Sequence, residues 1–132
     1  MYTTKATTLL SLFAAITTIN AGVLIPRQNG VTCQTSSGSP DTGDVTDVIN
    51  QIRGQGGLCP QTNGHASDCT TLVSHNSAAI SICGGTDPED GGTSCADIAG
   101  YANQIQQDCL SDGRAGGTYT LSASQRVEVI HS

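Results

Sequence analysis

The sequence predicts an α+β domain, a small disulfide-stabilised antiparallel sheet with two helices packed on one face, in effect an α/β sandwich. Three observations lead there. Two segments carry apolar residues at helical spacing: Val45, Val48, Ile49 and Ile52, then Cys95, Ile98, Ala99, Ala102, Ile105 and Cys109. Other segments alternate apolar and polar residues, as half-buried strands do. Six cysteines accompany a sparse aliphatic content: from Gln28 onward Leu, Ile and Val number 17 in 105 residues, about 16%. A share below about 20% with high net charge ordinarily reads as disorder, so cross-links must supply what the core lacks.

The first element is not part of that fold. Met1 to Lys5 carry one positive charge, Ala6 to Ile19 form an apolar run of 14 residues, and Ala21 offers a small residue before a cut. This reads as a secretory signal peptide over 1–21, and the run is too short for an ordinary membrane-spanning helix. Leu24-Ile25-Pro26-Arg27 then suits a basic-residue processing protease, which makes 22–27 a pro-segment ending at Arg27. A single domain over 28–132 follows.

Val31–Cys33 is a short strand. The first helix is expected over about 42–53: Asp41 or Thr42 caps it, Asp44 and Asp47 favour its positive end, and Gly54, Gly56 and Gly57 end it. Leu58 to Asp68 is read as a loop with Pro60, Asn63-Gly64 and His65. Cys69 to Val73 and Ser77 to Cys83 form a hairpin, with a turn around Ser74-His75-Asn76 and Ile80 and Ile82 on one face. Gly84 to Thr93 is an acidic loop. The second helix starts at Ser94, where Ser94 and Asp97 have the spacing of a capping box, and Gly113 is expected to stop it. Thr118–Leu121 and Arg126–Ile130 are the last strands. Val127 and Val129 share one face, Arg126 and Glu128 the other. The order is thus β-α-β-β-α-β-β, and two helices on one face of the sheet is the economical packing. The face they leave open is polar.

All six cysteines (Cys33, Cys59, Cys69, Cys83, Cys95, Cys109) follow the leader, where an oxidising compartment permits bridges. Fifteen pairings of six are possible. The expected one is nested: Cys59–Cys69 and Cys83–Cys95 close local loops, and Cys33–Cys109 ties the first strand to the second helix.

A signal peptide, a short pro-like segment, an amphipathic helix, Cys69-Thr-Thr-Leu-Val…Ala-Ala-Ile-Ser-Ile-Cys83, a cysteine-bounded helix and a closing Arg-Val-Glu-Val-Ile strand follow one another. This layout resembles the small secreted cysteine-rich proteins of fungi, in particular the α/β-sandwich killer toxins and necrosis-inducing effector domains. The resemblance runs from about Cys33 to the end. It implies a secreted, extracellular virulence or toxin role, and it assigns no functional residue.

The 132 residues hold five Lys+Arg and 11 Asp+Glu, a net charge of −6. That balance argues against nucleic acid and anionic membrane as partners, since both select basic surfaces. No cofactor is expected. His65 with Cys69 lacks the paired short spacings of structural zinc. Asp87, Glu89 and Asp90 lack the 12-residue spacing of an EF-hand. Gly-x-Ser-x-Gly is absent, and Arg114 with His65 or His75 and Glu128 is the nearest approach to a small ribonuclease set. No catalytic or metal-ligating residue is therefore assigned. The expectation is a non-enzymatic secreted protein that binds a host or competitor protein through its loops, with His65, Asp87, Glu89 and Asp90 as candidate contacts. A small secreted hydrolase and a membrane or channel antagonist are the alternatives.

Overall fold

β1, Val31–Cys33, opens the part of the chain described by the computed structural model, which covers residues 30–62, 69–84, 92–122 and 124–132. The leader, the pro-segment and the cut sites Ala21 and Arg27 lie outside these residues.

Helix α1 spans Thr42–Gln55. Its cap is Asp41, whose carboxylate accepts from Gly43 N at 2.8 Å. It runs two residues past the expected end at Arg53, because Gly54 stays helical and the backbone turns left-handed only at Gly56 and Gly57. Helix α2 spans Cys95–Cys109, capped by Ser94 Oγ accepting from Asp97 N. Gly113 is not its stop. The helix ends at Cys109, and Gly113 sits in a turn from which its carbonyl accepts from Thr42 N, at the start of α1.

Between the helices lie β2 (Leu58–Cys59), β3 (Cys69–His75), β4 (Ala78–Gly84) and β5 (Thr93–Ser94); β6 (Gly117–Thr120) and β7 (Gln125–His131) follow α2. The β3–β4 turn is tighter than expected. Ser74 and His75 still belong to β3, and Asn76 and Ser77 alone turn the chain. Asn76 takes the left-handed conformation that asparagine tolerates. The five-stranded sheet has the order β1-β6-β7-β4-β3, antiparallel throughout. β2 and β5 pair as a separate two-stranded sheet. These two short strands correct the reading of their segments as pure loop. Two residues are too few for a periodic signal, and only their mutual pairing makes them strands.

The register sorts side chains by face. Val31, Tyr119, Val127 and Ile82 form one row across the sheet; Val129, Ile80 and Val73 continue a second. Both rows meet the helices: α1 lies over β3 and β4, and α2 over β1, β6 and β7. Val45, Val48, Ile49 and Ile52 of α1 and Ile98, Ala99, Ala102 and Ile105 of α2 are buried in the same cluster, as their spacing requires. Each fully buried Ile or Val contributes roughly 1.5–3 kcal/mol. Gln106 is the polar exception on α2. Its amide donates to Thr42 O at 3.0 Å, Thr42 Oγ1 at 2.9 Å and Thr46 Oγ1 at 2.8 Å, joining the helices.

Three disulfides form. Cys33–Cys109 is as expected. The other two correct the nested pairing: Cys59 bonds Cys95, and Cys69 bonds Cys83. The reason is geometric. Cys83 sits directly opposite Cys69 in the β3–β4 ladder, with Cα atoms 4.0 Å apart. Its side chain points to the open face of the sheet, whereas Cys95 starts α2 on the helical side. The β2–β5 pairing brings Cys59 beside Thr93, and so within reach of Cys95.

Candidate functional site

The corrected bridges create the most distinctive feature of the molecule. One loop leaves β2 after Cys59 and returns at Cys69. Another leaves β4 after Cys83 and Gly84 and returns at β5, just before Cys95. Cys59–Cys95 therefore joins the start of the first loop to the end of the second, and Cys69–Cys83 joins the end of the first to the start of the second. Rather than each loop being closed on itself, the two are tied to one another at both roots.

Close packing reinforces the junction. Gln61 Nε2 donates to Ile82 O at 3.1 Å and to Gly84 O at 3.2 Å. Thr62 N donates to Thr70 Oγ1 at 3.0 Å. Gly92, with φ +106, lies against the Cys59 carbonyl and Pro60 Cα, where a Cβ would overlap them. Gly84, with φ +70, is pressed just as closely against the Ser124 carbonyl in the β6–β7 connection. Glycine is required at both positions.

Beside this junction lies the open sheet face. One transverse row crosses all five strands: Thr32, Thr118, Glu128, Ser81 and Thr71. The next holds Thr120, Arg126, Cys83 and Cys69. Arg126 Nε donates to Glu128 Oε2 at 2.7 Å, with side-chain exposures of 41% and 17%. Glu128 leans across the small side chains of β4, bringing Oε1 to 4.0 Å from Cys69 Sγ. Ser81 and Cys83 are buried although no helix covers this face. Tyr101 and Tyr119 are on the helical side, stacked with ring centroids 4.6 Å apart. They close the core and give the open face no aromatic platform.

At the opposite end, hydrogen bonds tie α1 to the hairpin tip. Asp44 on α1 accepts from Ser77 Oγ at 2.7 Å, Ser77 N at 3.1 Å and Asn76 Nδ2 at 3.3 Å. These bonds, the Ser77 hydroxyl first, hold the Asp44 carboxyl below its ordinary range. His75 Nε2 is 3.8 Å from Asp47 Oδ2, both groups well exposed. His131 is exposed at the end of β7.

Of the candidate contacts, His65, Asp87, Glu89 and Asp90 lie outside the described residues, although the roots of both their loops are described. The triad of Arg114, His75 and Glu128 is not assembled. Arg114 donates to Ser39 O at 2.7 Å, Glu128 lies on the open face, and His75 lies on the other face at the hairpin tip. Sequence reasoning placed Arg126 and Glu128 on one face but missed their ion pair and their position over Cys69. The i, i+2 spacing of opposite charges on one strand was the available signal. Among the described residues no helix is long and apolar enough to cross a membrane. No protein-family model, curated protein or solved structure matches this chain.

Proposed function

We propose that this chain is a secreted, cysteine-rich, effector-like or toxin-like protein that acts without catalysis, by binding a host or competitor protein through its two linked loops. The observation that carries the reading is the pair of bridges Cys59–Cys95 and Cys69–Cys83, which bind the roots of two polar loops to each other. Fixed roots lower the ordering cost of association, and loops on a rigid scaffold are where binding residues concentrate. Secretion supplies the oxidising compartment that such bridges need. Asp87, Glu89 and Asp90 in the second loop suit a basic patch on the partner, with an association rate that falls as salt rises.

The test uses the oxidised protein as bait against extracts of candidate hosts or competitors, beside a variant carrying Asp87→Asn, Glu89→Gln and Asp90→Asn. The expected result is a partner retained by the parent protein, with association slower in the variant at low salt and similar at high salt. Equal association at both salts would remove the acidic loop as the contact. The hydrolase alternative has its described histidine–carboxylate pair, His75 and Asp47, at the end remote from both loop roots. His75→Ala is therefore expected to leave activity intact, whereas loss of a catalytic histidine costs about 10²-fold or more.

A further inference from the structure

We propose that Cys69, Cys83 and Glu128 form a redox-gated site for a soft divalent cation of the zinc class, closed while the two sulfurs are bridged and open once a dithiol reduces them. Their ligand atoms all lie within 4.8 Å of one another. Among the described residues, no His or carboxylate completes a comparable group at the other two bridges.

Three features make the trio more than a coincidence of distance. First, the sulfurs stay neighbours without their bond. Cys69 and Cys83 are direct partners in a ladder continued by Thr70 with Ile82 and Thr71 with Ser81. β4 is held on its other side by seven paired residues of β7. Secondly, Glu128 is already oriented. Arg126 Nε holds Oε2 at 2.7 Å, while Oε1 is the oxygen 4.0 Å from Cys69 Sγ. A carboxylate fixed through one oxygen and presenting the other is the usual outer-shell arrangement of a metal ligand. Thirdly, the charges balance: two thiolates and one carboxylate offset a divalent ion plus the Arg126 guanidinium. Two thiolates select soft ions over calcium or magnesium, and three protein ligands leave a position for water.

Both steps conserve atoms and electrons. The dithiol passes two electrons and two protons to the sulfurs. The Sγ–Sγ bond breaks, two S–H bonds form, and the reductant leaves as its cyclic disulfide. Cation binding then replaces the two thiol protons, released to solvent, with two metal–sulfur bonds, and adds one metal–oxygen bond to Glu128.

The experiment is limited reduction of the full chain with a dithiol, removal of the reductant, and titration with cobalt(II) in the absence of oxygen. Alkylation and mass spectrometry locate the opened bridge; thiolate-to-cobalt absorption in the near ultraviolet reads binding. The expected result is free thiols at Cys69 and Cys83, an absorption band that saturates at equimolar cobalt, and no band in the oxidised protein. Glu128→Gln should weaken cobalt affinity by about 10-fold or more, since even outer-shell partners are worth about 10–100-fold. Cys83→Ser should abolish the band. Because that variant has to fold without its bridge, a second measurement is needed: alkylating both thiols of the reduced parent chain must abolish the band as well. The proposal is overturned if another bridge opens first, if the reduced chain gives no band, if the oxidised chain gives one, or if Glu128→Gln binds cobalt as well as the parent.

Discussion

The two ends of this molecule are held by different balances of covalent and hydrogen-bonded ties. At the loop-root end, Cys59–Cys95 and Cys69–Cys83 fasten four chain segments, with a two-residue strand pair between them. At the hairpin-tip end, Asp44, Asn76 and Ser77 join α1 to the β3–β4 turn and Gln106 joins α2 to α1 by hydrogen bonds, and a single bridge, Cys33–Cys109, ties the end of α2 to β1. The tip end has short connections whose polar groups find partners nearby. The root end must carry two long polar loops with little apolar residue to bury. A covalent tie works there because it restricts the unfolded chain and needs no core beneath it. The end that carries the two loops is thus the one that depends most on oxidation.

The largest effect that tests this contrast is full reduction. The chain-entropy model assigns roughly 4.5, 3.8 and 3 kcal/mol to loops of the sizes closed by Cys33–Cys109, Cys59–Cys95 and Cys69–Cys83. A whole domain is stable by only about 5–15 kcal/mol. Reduction of all three is expected to unfold the domain, read by circular dichroism in urea with and without a phosphine reductant. A reduced protein with an unchanged urea midpoint would break the comparison at once.

Removing one bridge sharpens it. Replacing Cys59 and Cys95 together by alanine should cost about 2–4 kcal/mol, with faster proteolysis between residues 58 and 94. Amide exchange at the hairpin tip should stay slow until global unfolding. If the tip amides exchange early as well, the two ends are one cooperative unit.

At the tip end, Gln106→Ala removes an amide whose two N–H groups are shared among three acceptors, and leaves the Thr42 carbonyl without that donor. A loss of about 1–3 kcal/mol is expected, measured by urea unfolding, with the disulfides intact. An unchanged midpoint would show that this interhelical contact contributes no net stability.

How much of this was legible in the sequence differs between the same two ends. The helices and the long strands announced themselves, because Val45 to Ile52, Ile98 to Ile105 and Val127 to Val129 repeat with the period of their elements. The Asp41 and Ser94 caps followed from side-chain chemistry. At the root end no such period exists. Leu58–Cys59 and Thr93–Ser94 are strands only because they meet each other, and the cysteine pairing depends on that meeting. Local loop closure favoured Cys59–Cys69 and Cys83–Cys95, but the sheet itself separates Cys83 from Cys95. At the tip, Asp44 was legible as a helix-dipole residue, not as a partner of Ser77, which lies 33 residues away.

The smallest expected effect is an acid limb at the tip. The pKa of the Asp44 carboxyl is lowered in the folded state below the ordinary carboxylate value, chiefly by the Ser77 hydroxyl. The stability it adds is therefore present above that value and is lost as pH falls through the lower folded one. Asp44→Asn should flatten this part of the stability curve between about pH 5 and pH 2, a window set by ordinary carboxylate titration. A curve that keeps its full slope would move the acid response to other carboxylates.

The linkage of the two loops is the central feature of the molecule, and disulfide mapping tests it directly. The oxidised protein is digested without reduction, at a pH low enough to suppress exchange, and the linked peptides are identified by mass spectrometry. The expected fragments join Cys59 to Cys95, Cys69 to Cys83 and Cys33 to Cys109. Fragments joining Cys59 to Cys69 and Cys83 to Cys95 would contradict it, for each loop would then be closed on itself and the shared root would not exist.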